Sequence, residues 1–427
     1  MERFFKLKEN GTTVKKELLA GLTMFVTVMY IIVTNASILK DTGMPENAAI
    51  LATIMVCAVS TLIMGVFAKT PFVIVPGMGI NALFTYTLVQ SLGLAWQEAL
   101  GAVFISSLIF SALSFTKLTE VLVRSIPTVL KQSITVGIGI LILFIGLQKG
   151  NLVLSNPSTL ISIGNVMSKE AIVALLTLLL IVVLHIRNVK GSLLISLLFG
   201  TILGVFLGIV NLNDLHSSGV SMSEWSQVLG AVSFESIGSI AFWVAVFSVT
   251  VVVVFENMGL LYGQCEMLGK KEKFTPSFRV TGISNIVTSL FGSSPTIVAA
   301  ESVTGIIAGG RTGLTAITTA VMFGLSIFLI PLMKLVPDSA VSAVLIFIGV
   351  LMIQTIKDIR LEEFSESFPS IIIMTFIPLT NSIVDGIAFG FIAYPLIMLA
   401  TKKKREVAPA MFVMAVLFMI NFMLSHA

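Results

Sequence analysis

The chain has 427 residues, of which 56% are hydrophobic and 11% charged, and its formal net charge is +4. Soluble domains carry roughly 25% charged residues, so a water-soluble globule is excluded, as a mean hydropathy of +1.03 also requires. Apolar runs of about 17 to 25 residues, each able to cross a hydrocarbon core of roughly 30 Å as a helix, recur from Leu18 almost to the C-terminus, so the bilayer is the expected solvent.

The first run, Leu18 to Leu39, follows Lys6, Lys8, Lys15 and Lys16 as a signal peptide would. It exceeds the about 7 to 15-residue core of a signal peptide and has no small-residue cleavage site, so it reads as a span. Further spans are predicted to begin near residues 48, 72, 95, 127, 170, 191, 238, 276, 294, 313, 338, 367 and 383. An apolar run from Val407 to Leu424 is an additional span or a helix on the membrane surface.

Charge sets the expected topology. Clusters at Lys15/Lys16, Lys117/Arg124, Arg187/Lys190, Lys270/Lys271/Lys273, Lys357/Arg360 and Lys402 to Arg405 recur every second loop, the pattern of cytoplasmic loops. The long connection from Asn211 to Ser239 holds Asp214, Glu224 and Glu235 but no Lys or Arg, which places it outside. Lys40, Lys149, Lys169 and Lys334 depart from this pattern.

Two spans differ from the rest. PFVIVPGMGINALF (71–84) sets a β-branched run before Pro76, Gly77 and Gly79, and FGSSPTIVAAESVTGIIAGG (291–310) disfavours helix at Gly292, Ser293, Ser294 and Pro295. Each reads as an extended strand breaking into a half-helix, in the third and tenth spans of two seven-span halves. Such paired interruptions point to a transporter binding site. The fifth and twelfth spans share a Pro near the start and an Ile-Gly pair near the end, and two odd-length halves must enter the membrane in opposite senses, the inverted-repeat plan. Unpaired backbone at this depth has to line a cavity or be buried in protein, so the half-helices are expected to face a polar pocket.

Ionisable side chains inside apolar spans each cost about 2.5 to 3.5 kcal/mol on insertion scales, which singles out Glu256, within FENMG, and Glu301, within VAAESVTG. Two carboxylates at membrane depth do not both ionise comfortably without cations, so one or both are expected to hold a proton in some state. Asn81 offers an amide donor and acceptor, with helix capping as the alternative. Thr27 and Tyr30 are weaker candidates, with packing as the alternative, Asp385 reads as a helix cap, and Arg311 as a boundary anchor or gating contact. Cys57 and Cys265 read as packing residues. The three histidines form no metal cluster, and no GxxxxGK[ST] phosphate loop or Ser/His/Asp arrangement stands out, so no cofactor and no enzymatic reaction is expected.

The segments PGMGINALFTYTLVQSLGLAWQEALGAVFIS (76–106), AAESVTGIIAGGRTGLTA (299–316) and IPLTNSIVDGIAFGFIAY (377–394) resemble the azaguanine-resistance type of purine permeases, within the xanthine/uracil permease superfamily of nucleobase:cation symporters. The resemblance runs over essentially the whole chain. It implies an all-α polytopic membrane protein of about 14 spans in two inverted seven-span repeats. The implied layout is a cytoplasmic N-terminus (1–17), a core domain (18–116 and 238–335), a gate domain (117–212 and 336–406), an extracellular loop (213–237) and an extra hydrophobic segment (407–427). It further implies proton-coupled uptake of purine bases across a plasma membrane, with Glu256, Glu301 and Asn81 at the base, backbone around Ala82 and Ala300 facing it, and the two acids coupling the proton. No nucleic-acid partner is expected, and a homodimer is left open. The family's usual FDTxGT-like motif departs here to Phe255-Glu256-Asn257-Met258-Gly259-Leu260, closer to the uracil and xanthine branches. Alternatives to a purine symporter are a xanthine or uracil permease, an anion carrier on the same architecture, and a membrane-embedded enzyme or receptor.

Overall fold

The structure, a computed structural model, describes residues 2–116, 126–211, 225–401 and 407–425. Lys117, Arg124, Lys402 to Arg405, Asp214, Glu224, His216 and His426 therefore lie outside the described residues. Among the described residues nine helices are long and apolar enough to cross a membrane, and Ser192–Phe206, Phe364–Thr380 and Pro409–Ile420 form shorter apolar helices.

The first span is a helix pair, α1 (Val14–Val28) and α2 (Tyr30–Lys40), broken only at Met29. It starts earlier than its apolar run because Thr13 caps it, accepting a hydrogen bond from Lys16 N at 3.4 Å. Then follow α3 (Glu46–Ile63), the short strand β1 (Ile74–Pro76), the short helix α4 (Met78–Ala82), which runs on as wide π-type turns over Leu83–Ser91, and α5 (Trp96–Ser114). Next come α6 (Thr128–Lys149), a hairpin of β2 (Val153–Asn156) and β3 (Leu160–Ile163), α7 (Lys169–Ile186) and α8 (Ser192–Phe206). The second half holds α9 (Ile240–Leu268), α10 (Phe274–Leu290), β4 (Thr296–Val298), α11 (Ser302–Ile307) and α12 (Gly313–Leu325). It closes with α13 (Asp338–Ile353), α14 (Phe364–Thr380), α15 (Ile383–Ala400) and α16 (Pro409–Ser425).

The β2–β3 hairpin corrects an all-helical reading. Its 153–163 segment pairs antiparallel around an Asn156-Pro157 turn and is largely exposed, so water can satisfy its free edges. Asp385 is also corrected: the cap of α15 is Ser382, whose hydroxyl accepts from Asp385 N at 3.2 Å, while Asp385 sits in the first turn, where its charge suits the helix dipole. Arg311 anchors a boundary, donating from its guanidinium to the carbonyls of Ile306 (2.6 Å) and Gly310 (2.9 Å). Cys57 and Cys265 are buried free thiols.

The helices pack in two groups. In one, α10 lies against α5, α9 against α5, and α12 against α1 and α3; in the other, α6, α7, α13, α14 and α15 pack on one another. The α6–α13 contact rests on glycines. A Cβ on Gly349 would lie 2.6 Å from the Gly139 carbonyl oxygen, and one on Gly146 2.8 Å from Ile346 N. Small residues let backbones approach where lipid supplies no hydrophobic drive between helices. The Ile-Gly pairs of the fifth and twelfth predicted spans thus mark one helix crossing. On the outside of α7 and α8, Leu179 and Phe206 are 60% and 82% exposed, an arrangement suited to lipid rather than water.

Buried Glu17 ties the start of α1 to the start of α12. Its carboxylate accepts from Arg311 N (2.9 Å), Thr312 Oγ1 (2.9 Å), Thr315 N (3.1 Å) and Thr315 Oγ1 (2.6 Å). Lys270, between α9 and α10, donates to Asn10 and to the Arg311 carbonyl, so these ends share one face of the molecule.

Candidate functional site

The site begins with two strands too short to satisfy themselves. β1 and β4 cross antiparallel, pairing Ile74 with Val298, Val75 with Ile297 and Pro76 with Thr296. Their outer edges lie at membrane depth, where an unpaired backbone group costs about 1 to 3 kcal/mol. Side chains from neighbouring spans supply the partners. Asn285 accepts from Thr296 N and donates to Thr296 O, both at 2.8 Å, and Asn257 accepts from Val298 N at 3.1 Å. Gln264 donates to Ala299 O at 2.7 Å, Thr61 accepts from Ile74 N at 3.0 Å, and Ser302 accepts from Val73 N at 3.1 Å. The FENMG motif is thereby explained in part: Asn257 holds a strand edge while its neighbour Glu256, about 100° around α9, lines the cavity. Gly77 lies close against β4, since a Cβ there would lie 2.8 Å from Ile297 Cδ1 and that side chain would have to shift.

Where the strands end, a cavity of about 410 Å³ opens, within the about 300 to 1,000 Å³ range of small-molecule sites. Its walls come from both helix groups. Tyr30, Gly77 to Gly79, Glu256, Ala300 and Glu301 line one side, and Lys131, Gln132, Thr135, Ile348 and Thr355, from α6 and the α13 end, line the other. Glu301 sits at the start of α11, and Tyr30 at the start of α2 donates its hydroxyl to Glu301 Oε1 at 2.7 Å. Glu256 has no hydrogen-bond partner among the described residues, and its Oε2 lies 3.9 Å from where a Cβ on Gly79 would be. The two acids therefore differ: one is held by a phenol and the other is free to meet a ligand or a proton.

Of the residues read from sequence, Glu256, Glu301, Tyr30 and Ala300 are brought together on this cavity, whereas Asn81, Ala82 and Thr27 do not line it. Asn81 lies two residues, or about 200° of helix turn, beyond cavity-facing Gly79. It is fully buried behind α4, its amide reaching the Asn35 carbonyl at 3.5 Å and its Oδ1 without a partner among the described residues. Ala82 is a further residue along and buried, and Thr27 Oγ1 turns back to the Thr23 carbonyl at 2.7 Å. Conversely, Lys131, Gln132, Thr135 and Thr355 line the cavity without having been singled out. Lys131 Nζ stands 5.9 Å from the Phe255 ring centre. Their only sequence signal is polarity in the end turns of predicted spans, which interfacial turns share.

A helical membrane fold in which two crossed strands lead into half-helices beside a two-walled cavity is the architecture of a transporter. The chain belongs to the Xan_ur_permease family, a permease family that matches residues 15–387. It is a multi-pass membrane transporter and not an enzyme. It is 44% identical over 383 residues to the nucleobase transporter PlAzg2 of Paenibacillus larvae, covering 90% of this chain and 77% of that protein. It is 35% identical to the adenine permease AdeP of Escherichia coli, covering 100% of this chain and 97% of the other. In structure it is similar to the transmembrane domain of the cyanobacterial bicarbonate transporter BicA, with a TM-score of 0.66 and 15% identity over 88% of this chain and 97% of that one.

Proposed function

We propose that this chain takes up purine nucleobases, hypoxanthine and guanine or adenine, across the plasma membrane by proton symport with alternating access, with its N-terminus cytoplasmic. The observation that carries the reading is the meeting of Glu256 and Glu301 on one cavity of about 410 Å³ beside the crossed strands. A purine base is flat and alternates donors and acceptors along its edge. A carboxyl accepts when ionised and donates when protonated, so each acid can pair with a different part of that edge. Glu301, oriented by Tyr30, holds the base, and the unpartnered Glu256 is the acid that takes up and releases the coupled proton. The names of the relatives, a nucleobase transporter and an adenine permease, support a base as cargo.

In this reading the helices form fourteen spans in two inverted repeats, followed by an extra hydrophobic segment. The group containing the half-helices is the core (18–116 and 238–335) and the α6 to α8 and α13 to α15 group the gate (117–212 and 336–406), with 213–237 extracellular. Movement of one against the other exposes the cavity to alternate sides. The test is uptake of radiolabelled adenine, guanine and hypoxanthine in cells lacking nucleobase transport. Glu301→Gln is expected to abolish concentrative uptake of any base carried. Uptake unchanged in that variant sinks the site assignment, and uptake indifferent to a protonophore sinks the symport.

A further inference from the structure

The four lysines that break the charge topology point to a second feature. Lys40, Lys149 and Lys334 line one polar vestibule of about 510 Å³, and Lys169 Nζ reaches to 3.9 Å from the Cβ position of Gly208. This vestibule lies across the membrane from Arg311 and Lys270. The first span starts beside those residues, near Glu17, and ends at Lys40; from Val14 to Lys40 it is 27 residues and thus about 40 Å long.

Here the two helix groups are joined by charge. Lys149, the last residue of α6, bonds Asp41 at 2.9 Å, just after α2, and donates to the Ser37 carbonyl at 3.2 Å. Ser37 on α2 donates its hydroxyl to Asp338 at 2.7 Å, the first residue of α13, whose carboxylate stands 4.0 Å from Lys149. Tyr86 completes the knot, donating to Asp41 at 2.7 Å. The Lys149 side chain is only 12% exposed, so its charge is poorly tolerated without these partners. The cavity lies at the far ends of the same two helices. Its lining on α6 stops at Ile138 and on α13 starts at Ile348, leaving about 15 Å of each helix between cavity and knot. It reaches instead to Ile126 and Thr355, the ends on the Lys270 side.

We propose that Asp41, Lys149 and Asp338, with Ser37 as bridge, are the outer gate: they lock α2 against α6 and α13 while the cavity faces the Lys270 side, and must part for it to open to the other. A single cation between two acids on opposite groups gives a contact that is strong when closed and can part into a wet vestibule, where water takes over each charge. The inference rests on the alternating-access reading above.

The test places a cysteine at cavity-lining Ile31 (Ile31→Cys) in a chain with Cys57→Ala and Cys265→Ala. A membrane-impermeant maleimide is then applied to sealed vesicles of each orientation. Unaltered at the gate, this protein is expected to label from the Lys270 side. Lys149→Gln and Asp338→Asn are each expected to raise labelling from the opposite side by up to about fivefold, and the Asp41→Lys/Lys149→Asp exchange to bring it back down. Variants that fold, judged by binding of radiolabelled adenine, guanine or hypoxanthine to the purified protein, yet label as the parent does from both sides, overturn the gate. Absence of binding of all three bases in the natural chain overturns the transport reading instead, and leaves the labelling result to judge the gate.

Discussion

Tyr30 and Glu301 are the residues whose chemistry is most tightly specified, because one hydrogen bond of 2.7 Å decides how the acid is presented. Bonds to a charged group are worth about 1.5 to 3 kcal/mol. Tyr30→Phe is therefore expected to weaken base binding at least about tenfold in a radioligand assay while leaving thermal stability near that of the parent; an unchanged affinity means the phenol only packs. Glu256 and Glu301 were legible in sequence because an acid in an apolar run has few reasons to be there. Asn81 was legible as a polar residue but not as to direction. The half-helix starts from non-helical backbone at Pro76 and Gly77, so no upstream helix fixes which way position 81 turns.

The crossed strands β1 and β4 carry their own requirement, since side-chain amides must satisfy their edges. Asn285→Leu removes both the donor and the acceptor that serve Thr296. The Thr296 N–H is then orphaned at a cost of about 1 to 3 kcal/mol, whereas Thr296 O keeps the Asn257 amide at 3.3 Å; a loss of thermal stability is expected, read by size-exclusion chromatography after heating, together with loss of uptake, and full stability would show that the N–H finds another partner. Gly349→Val puts side-chain atoms where the Gly139 carbonyl already lies 2.6 Å from a Cβ. Overpacking of this kind costs about 1 to 3 kcal/mol, so the variant should melt at lower temperature in the same assay, and an unshifted transition would mean that α6 and α13 can slide apart. The interrupted spans themselves were readable from Pro and Gly punctuation. The amides that support them were not, because Asn257, Asn285 and Gln264 are distant in sequence and only the fold brings them to the strands. The β2–β3 hairpin, in the connection between Lys149 and Lys169, was not legible because its strands are only 4 residues each.

For the whole molecule, hydrophobicity and span spacing revealed a multi-pass helical membrane protein, and paired interruptions located the cavity between them. What sequence could not supply was which faces meet. Lys131, Gln132 and Thr355 become cavity residues only because α6 and α13 cross at Gly139 and Gly349 and thereby turn these end turns inward. The fold is similar to that of the transmembrane domain of a bicarbonate transporter, whereas the family relatives carry names of nucleobase transporters, and cargo chemistry separates the two. The cavity holds Lys131 as well as two acids, Glu301 at the start of α11 and Glu256 on α9 beside Gly79, and an anion would meet like charge at either acid when it is ionised. Competition against radiolabelled adenine, guanine or hypoxanthine uptake in proteoliposomes containing the purified chain decides the matter. Unlabelled purine bases are expected to block uptake while bicarbonate and sulfate in excess do not; bicarbonate transport without uptake of any purine base would rule out a purine transporter.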